Sequence, residues 1–135
     1  MEQIFISSVQ KELQAERYVV RDFVHGNDLL RQFFRVFLFE DLPPADRRAD
    51  DVYLEEVAKS PVYVGIFGNK YGREDDKGLS STEKEFELAS RKRKRRLIMV
   101  KGRDDKNRDA KMKVLIRRAG DEVIRRRAVS ERHTS

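Results

Sequence analysis

Ser60-Pro61-Val62-Tyr63-Val64-Gly65-Ile66-Phe67-Gly68-Asn69-Lys70-Tyr71-Gly72 is the stretch that decides the fold. Pro61 to Phe67 is an apolar run with no polar alternation, which predicts a strand covered on both faces, as in a parallel sheet. Ser60 precedes a proline and is pushed out of the α region, so a break stands before the strand. The strand runs into Gly68-Asn69-Lys70-Tyr71-Gly72, where two glycines permit a sharp turn or the close approach of a ligand. A charged loop follows, and Ser80-Ser81-Thr82 opens a helix carrying Glu83, Glu85 and Glu87. Buried strand, glycine loop and hydroxyl-rich helix start together predict a ligand-binding edge of an α/β sheet.

Outward from this stretch, strands and helices alternate. Gln3 to Ser7 reads as a first strand. Ser7-Ser8 opens a helix from Val9 to about Val24, with Ser7 and Gln10 at capping-box spacing and Val9, Leu13, Val20 and Val24 on one side. His25-Gly26-Asn27 supplies its stop, and Leu29 to Phe34 forms a short apolar connector. Val36 to Phe39 is a second buried strand, ended by Glu40-Asp41 and a Pro43-Pro44 turn. Asp50 to Lys59 is a short helix capped by Asp50 or Asp51, with Tyr53, Leu54, Val57 and Ala58 on its apolar side. Beyond the helix at 81–93, Leu97 to Val100 is a fourth strand closed by Gly102. Asp109 caps a last helix in which Met112, Leu115, Ile116 and Ala119 share a face, and Gly120 ends it. Val123-Ile124 begins a fifth, edge strand, and 128–135 is a frayed tail.

This alternation predicts an α/β fold: a single three-layer, flavodoxin-like domain with a mainly parallel sheet of 4–5 strands in the order 2-1-3-4. The domain spans 1–120, and 121–135 is a basic extension. The switch point of that order falls between the first and third strands. It brings the Ser7-Ser8 turn beside the Gly68–Gly72 loop, with the Thr82 helix start nearby.

Composition narrows the chemistry. Charged residues make up 40% of the 135, against roughly 25% in ordinary domains. There is no cysteine, hence no disulfide and no thiolate chemistry, and His25 and His133 are too few for a histidine-based metal site. No apolar run approaches the ~20 residues that span a bilayer, so no membrane partner is expected and the expected location is cytoplasmic. Residues 1–90 hold 12 Lys+Arg and 18 Asp+Glu, whereas 91–135 hold 18 and 6. The basic second part, most concentrated at Arg91-Lys92-Arg93-Lys94-Arg95-Arg96, suits either a solvated surface or an anionic partner. It contains no aromatic residue to stack on bases, so nucleic-acid binding through 91–127 would be weakly sequence-specific and salt-sensitive. Neither a GxxxxGK[ST] loop nor a GxGxxG fingerprint is present, which removes support for an NTPase or a standard dinucleotide site.

Several segments carry a family resemblance. Phe5-Ile6-Ser7-Ser8-Val9-Gln10-Lys11-Glu12-Leu13, Val36-Phe37-Leu38-Phe39-Glu40, Gly65-Ile66-Phe67-Gly68-Asn69-Lys70-Tyr71-Gly72 and Ser81-Thr82-Glu83-Lys84-Glu85-Phe86 resemble a domain of unknown function. That domain is often N-terminal in bacterial and archaeal regulatory and NTPase proteins. The likeness covers about residues 2–120. The domain in turn resembles Toll/interleukin-1 receptor (TIR) domains and nucleoside 2-deoxyribosyltransferases in fold. The transferase pattern is a Thr, then two residues, a catalytic Glu, and an Ala four later; Thr82, Glu85 and Ala89 fit it. Its glycines before the Thr and after the Glu are replaced here by Ser81 and Glu87. The resemblance implies a nucleotide-sensing or nucleotide-processing signalling domain. NAD or a nucleoside would be the ligand, and no other cofactor is required. It also implies TIR-like self-association into a homo-oligomer.

The candidate catalytic residues are Glu85, with Thr82 to orient it. A carboxylate attacks a ribosyl C1′ or stabilises the oxocarbenium-like charge as an N-glycosidic bond breaks. The competing reading is that Thr82 and Glu85, at capping-box spacing, merely cap the helix. Ser7, Ser8, Gly68 and Gly72 are candidates to surround a phosphate or ribose, and Tyr71 to stack on a base; the alternative is a pair of ordinary strand-to-helix turns. Two other functions stand beside glycosidic chemistry: a non-enzymatic interaction module of a transcriptional or defence regulator, and weak nucleic-acid binding.

Overall fold

In the computed structural model, which describes residues 1–43, 50–122 and 126–129, the alternation is realised as expected. β1 (Glu2–Ser7) leads into α1 (Gln10–Gly26), followed by α2 (Leu30–Phe33), β2 (Phe34–Phe37) and α3 (Asp50–Lys59). β3 (Val62–Phe67), α4 (Ser81–Arg91), β4 (Arg95–Lys101), α5 (Ala110–Glu122) and β5 (Arg126–Val129) complete the order. The strands lie β2-β1-β3-β4-β5 and every neighbouring pair is parallel. That is the 2-1-3-4 arrangement with one more strand on its edge. Val123, Ile124, Pro44 and the side chains of Asp50 and Asp51, on which parts of the sequence reading fall, lie outside the described residues.

β3 is central, paired with β1 on one side and β4 on the other. Its lack of alternation follows from this position, because both of its faces are covered. Val64 and Ile66 pack with Ile4 and Ile6 of β1 under Leu13 and Val24 of α1. Tyr63 and Phe67 face the opposite way and pack with Phe5 under Val57 of α3, Phe86 of α4, and Met112 and Leu115 of α5. The sheet is thus sandwiched between α1 with α2 and α3 with α4 and α5. All four residues of the predicted α5 stripe are buried. Each large side chain removed from water in this way contributes about 1.5–3 kcal/mol.

Several element ends differ from expectation, and Ala128 and Val129, expected in the tail, lie in β5. β2 starts and stops two residues early, because Phe39 and Glu40 enter a 3₁₀ turn, Phe39–Asp41, and take long-range partners. Phe39 stacks on Tyr53, and Glu40 pairs with Arg17. α5 runs past Gly120 to Glu122. Asp109 accepts the backbone N–H of Lys113 through its own carbonyl, which starts the helix. Its carboxylate, however, accepts the amide of Tyr71 at 2.8 Å instead of capping.

Candidate functional site

The turn after β1 is where the two helical layers meet. Strand alternation sends neighbouring side chains to opposite faces, and the paired serines show it. Ser7 is buried on the α4 face, where its Oγ donates to Glu85 Oε1 at 2.7 Å. Ser8 turns to the α1 face, where its Oγ accepts from Arg17 Nη1 at 2.8 Å. The Ser7–Gln10 capping box therefore does not form. Val9 is the N-cap residue of α1 and no side chain caps the helix.

At the other helix start the expectation is also corrected. Ser80, not Thr82, is the N-cap of α4, and its Oγ accepts from the amide of Glu83 at 3.2 Å. Thr82 and Glu85 lie inside the helix, one turn apart, both buried. With Ser80 as the N-cap, the capping-box position falls on Glu83 and not on Glu85. The hydroxyl bonded to its carboxylate belongs to Ser7, seventy-eight residues away in sequence.

Between the two helix starts opens a cavity of about 250 Å³, walled by Ser8, Thr82, Glu85, Gly72, Arg73 and the Phe39–Tyr53 pair. The two rings stack with centroids 4.0 Å apart and planes 15° from parallel. Arg73 is exposed at this cavity. Gly72 has φ +97°, a conformation in which any other residue would be strained. Of the sequence-derived candidates, Ser8, Gly72, Thr82 and Glu85 line the cavity, and Ser7 stands behind Glu85. The sequence reading missed Phe39, Tyr53, Arg73 and Arg17. One signal was available for Arg17: it falls on the Leu13–Val24 stripe of α1, where a cation needs a buried partner. Arg17 is 1% exposed and holds Glu40 through two hydrogen bonds, at 2.9 and 2.7 Å.

Gly68 and Tyr71 are placed elsewhere. The amides of Asn69 and Lys70 donate to the Glu12 carboxylate at 2.8 and 3.1 Å. A Cβ on Gly68 would stand 2.7 Å from that carboxylate. Tyr71 is buried against the core; its hydroxyl donates to Glu83 and accepts from the amide of Ser80. Burial, and then its bond to Glu83, push the Tyr71 phenol above its ordinary pKa. Tyr63, beneath Ser7 on β3, is fully buried and its hydroxyl makes no hydrogen bond of good geometry. Burial raises its pKa far above the phenol range, with the Glu85 charge adding to the shift, so Tyr63 stays neutral.

A larger cavity, about 640 Å³, lies beyond the end of β4 and is lined by Arg103, Arg108, Lys113 and Arg117 among others. Its most buried cation, Arg108, is held by Asp105 and by the carbonyls of Gly68 and Asp104. Among the described residues no hydroxyl orients a carboxylate there, so the smaller cavity is the chemical candidate. The basic run lies at the opposite edge of the sheet, between the end of α4 and the start of β4. It does not form one uniform face: Lys94 donates to the carbonyl of Ala58 and Arg96 to Ser90. No helix among the described residues is long and apolar enough to cross a membrane.

The chain belongs to the family described as a domain of unknown function (DUF4062), whose profile matches residues 3–134. Among solved structures it is similar to the CMP N-glycosidase BcmB of Clostridium botulinum. The identity is 12%, the alignment covers 96% of this chain and 88% of that one, and the TM-score is 0.53. It is also similar to a conserved protein of Enterococcus faecalis V583, at 16% identity, 97% and 92% coverage, and a TM-score of 0.47. No curated protein sequence matches the chain. At 12% identity the first likeness establishes a shared fold and nothing finer.

Proposed function

We propose that this domain binds a nucleotide or nucleoside, NAD included, in the cavity between the α1 and α4 starts and cleaves its N-glycosidic bond. The observation that carries this reading is Glu85: a carboxylate 5% exposed, bonded to Ser7 at 2.7 Å, in the wall of a cavity that also holds a stacked aromatic pair. The fold shared with a protein described as a CMP N-glycosidase is consistent with it.

In this mechanism Glu85 faces the anomeric carbon. As the C1′–N bond breaks, its electron pair leaves on the base nitrogen; a neutral base such as cytosine takes up a proton from water, whereas nicotinamide, leaving a cationic nitrogen, needs none. The carboxylate either bonds to C1′ or stabilises the oxocarbenium-like charge. Water, or a second base in a transfer reaction, then bonds to C1′ and gives up its proton, displacing the Glu85 carboxylate where that had bonded. Ser7 fixes the carboxylate and Thr82 lines the approach to it. The Phe39–Tyr53 pair offers an apolar wall for a base, and Arg73 a cation for an anionic group.

The test is incubation with NAD, CMP and nucleosides, followed by product analysis on the wild type and Glu85→Gln. Release of free base by the wild type, lost in the variant, is expected. Absence of base release from every compound would overturn the reading.

A second reading has its own observation. Val19 and Phe23 of α1 are 66% and 62% exposed, and Leu29 and Phe33 nearby are 64% and 55%. Four large apolar side chains left exposed on α1 and the segment after it favour an association module, the TIR-like alternative. Self-association that rises with concentration and is lost in Phe23→Glu, without any turnover, would select it.

A further inference from the structure

From the geometry around Arg17 we infer that this residue is a positioning residue: it turns the Ser8 hydroxyl into a hydrogen-bond donor aimed at a ligand oxygen in the cavity. The inference rests on the cavity being the ligand site. Arg17 is buried, with its Nε and Nη2 forked onto the two Glu40 oxygens. The remaining nitrogen, Nη1, donates to Ser8 Oγ at 2.8 Å and more weakly to the carbonyl of Ile6 at 3.3 Å. A guanidinium has only donors, so Ser8 Oγ accepts this bond and its own hydrogen is directed elsewhere. Ser8 is 7% exposed and lines the cavity. No acceptor for its hydrogen is found among the described residues, and α1 begins there with no side chain capping it. The charge on Arg17 polarises the hydroxyl and strengthens it as a donor. What it suits is an acceptor oxygen, supplied either by a phosphate or by a ribose.

The network also explains why a cation is buried in an otherwise apolar stripe. A buried ion pair is weak evidence for stability, because apolar replacements of both partners are often neutral. A pair whose third arm sets a hydroxyl in the cavity wall has a use that apolar replacements lack.

The experiment measures binding of CMP, cytidine and NAD to Glu85→Gln protein, which leaves the ligand intact, by titration calorimetry. Ser8→Ala is expected to weaken binding roughly tenfold, the loss of one charge-assisted hydrogen bond. Arg17→Met combined with Glu40→Leu is expected to fold and to weaken binding by a similar factor. Adding Ser8→Ala to that pair should then cause no further loss, since Arg17 acts through Ser8. Arg17→Lys guards against a misfolded double variant: one ammonium cannot reproduce the fork and the third arm together, so it should bind like Ser8→Ala.

If the Ser8 and Arg17 effects multiply, or Arg17→Lys binds like the parent, the inference is overturned and Arg17 is structural. A Ser8 effect seen with CMP and absent with cytidine assigns the acceptor to phosphate; an equal effect assigns it to ribose. Either supports the inference. Binding without base release by the wild type overturns the glycosidic reading alone, whereas no binding of any probe overturns both.

Discussion

Two serine-rich helix starts face each other across the cavity, and they use their hydroxyls in opposite ways. At α4 the arrangement is local. Ser80 caps Glu83, its own amide is held by the Tyr71 hydroxyl, and Lys84 pairs with Asp75 in the preceding loop. At α1 no side-chain hydrogen bond caps the helix; Ser7 holds Glu85 of the overlying α4 and Ser8 is held by Arg17. The first start stabilises a helix, and the second forgoes its cap to hold side chains of the cavity wall. Capping contributes about 1 kcal/mol, so its absence at α1 is a modest cost for a fold of this size.

Perturbing each start in turn tests the contrast, beginning with the largest effect. Glu85→Gln keeps the shape and removes the charge; base release should fall by about two orders of magnitude or more, with little change in the melting curve. Turnover at the wild-type rate would remove Glu85 as the essential group. Ser7→Ala leaves Glu85 without its hydroxyl, and turnover is expected to drop roughly tenfold, the worth of a hydrogen bond to a charged group. Here the readout is rate per folded molecule, with unfolded protein removed beforehand.

Gly72 lies between the two starts. An alanine Cβ there would meet Val9 of one at 3.3 Å and Ser80 of the other at 3.6 Å, at φ +97°. Gly72→Ala should cost about 1–2 kcal/mol of backbone strain, measured by chemical denaturation. Ser80→Ala should cost about 1 kcal/mol and, unlike Ser7→Ala, leave turnover per folded molecule unchanged. A rate loss equal to that of Ser7→Ala would erase the distinction between the starts.

The smallest effect is on acid sensitivity. The hydrogen bond from Lys84, and then the amide of Leu79, hold the exposed Asp75 carboxyl down at about 2, from an ordinary 3.8. A lowered folded-state pKa stabilises above the unfolded value and is lost as pH falls through the folded one. The loop before α4 should therefore loosen between about pH 4 and pH 2. In Asp75→Asn this pH dependence should be absent, as followed by the Leu79 amide resonance.

The fold was legible in the sequence because it rests on patterns with short range. The two-sided apolar run of β3 reports its central place, and the α5 stripe its buried face. Caps and strand ends were read less well, for a physical reason. Ser7, Thr82 and Asp109 each stand at a cap-like position, but a spacing rule cannot register a competing partner elsewhere in the fold. Ser7 finds Glu85, and the Asp109 carboxylate finds Tyr71, thirty-eight residues back. Phe39 reads as the end of a strand until Tyr53, on a different helix, offers it a ring to stack on. Ser8 and Glu85 were found because a hydroxyl just past a strand end and a carboxylate in the first turns of a helix are conspicuous. Arg17 was missed because a cation on a helix is ordinarily solvated.

Glu12 adds something to the edge beyond β3. Its two oxygens sit on the amides of Asn69 and Lys70, the kind of backbone cradle that elsewhere receives a foreign anion. The chain thus carries its own counter-anion there, on the helix that begins at the cavity. The loop leading to Gly72 and Arg73 is set when the protein folds and does not wait for a ligand. Its ordering entropy is charged to folding, so a ligand arriving at this edge meets a wall already in place.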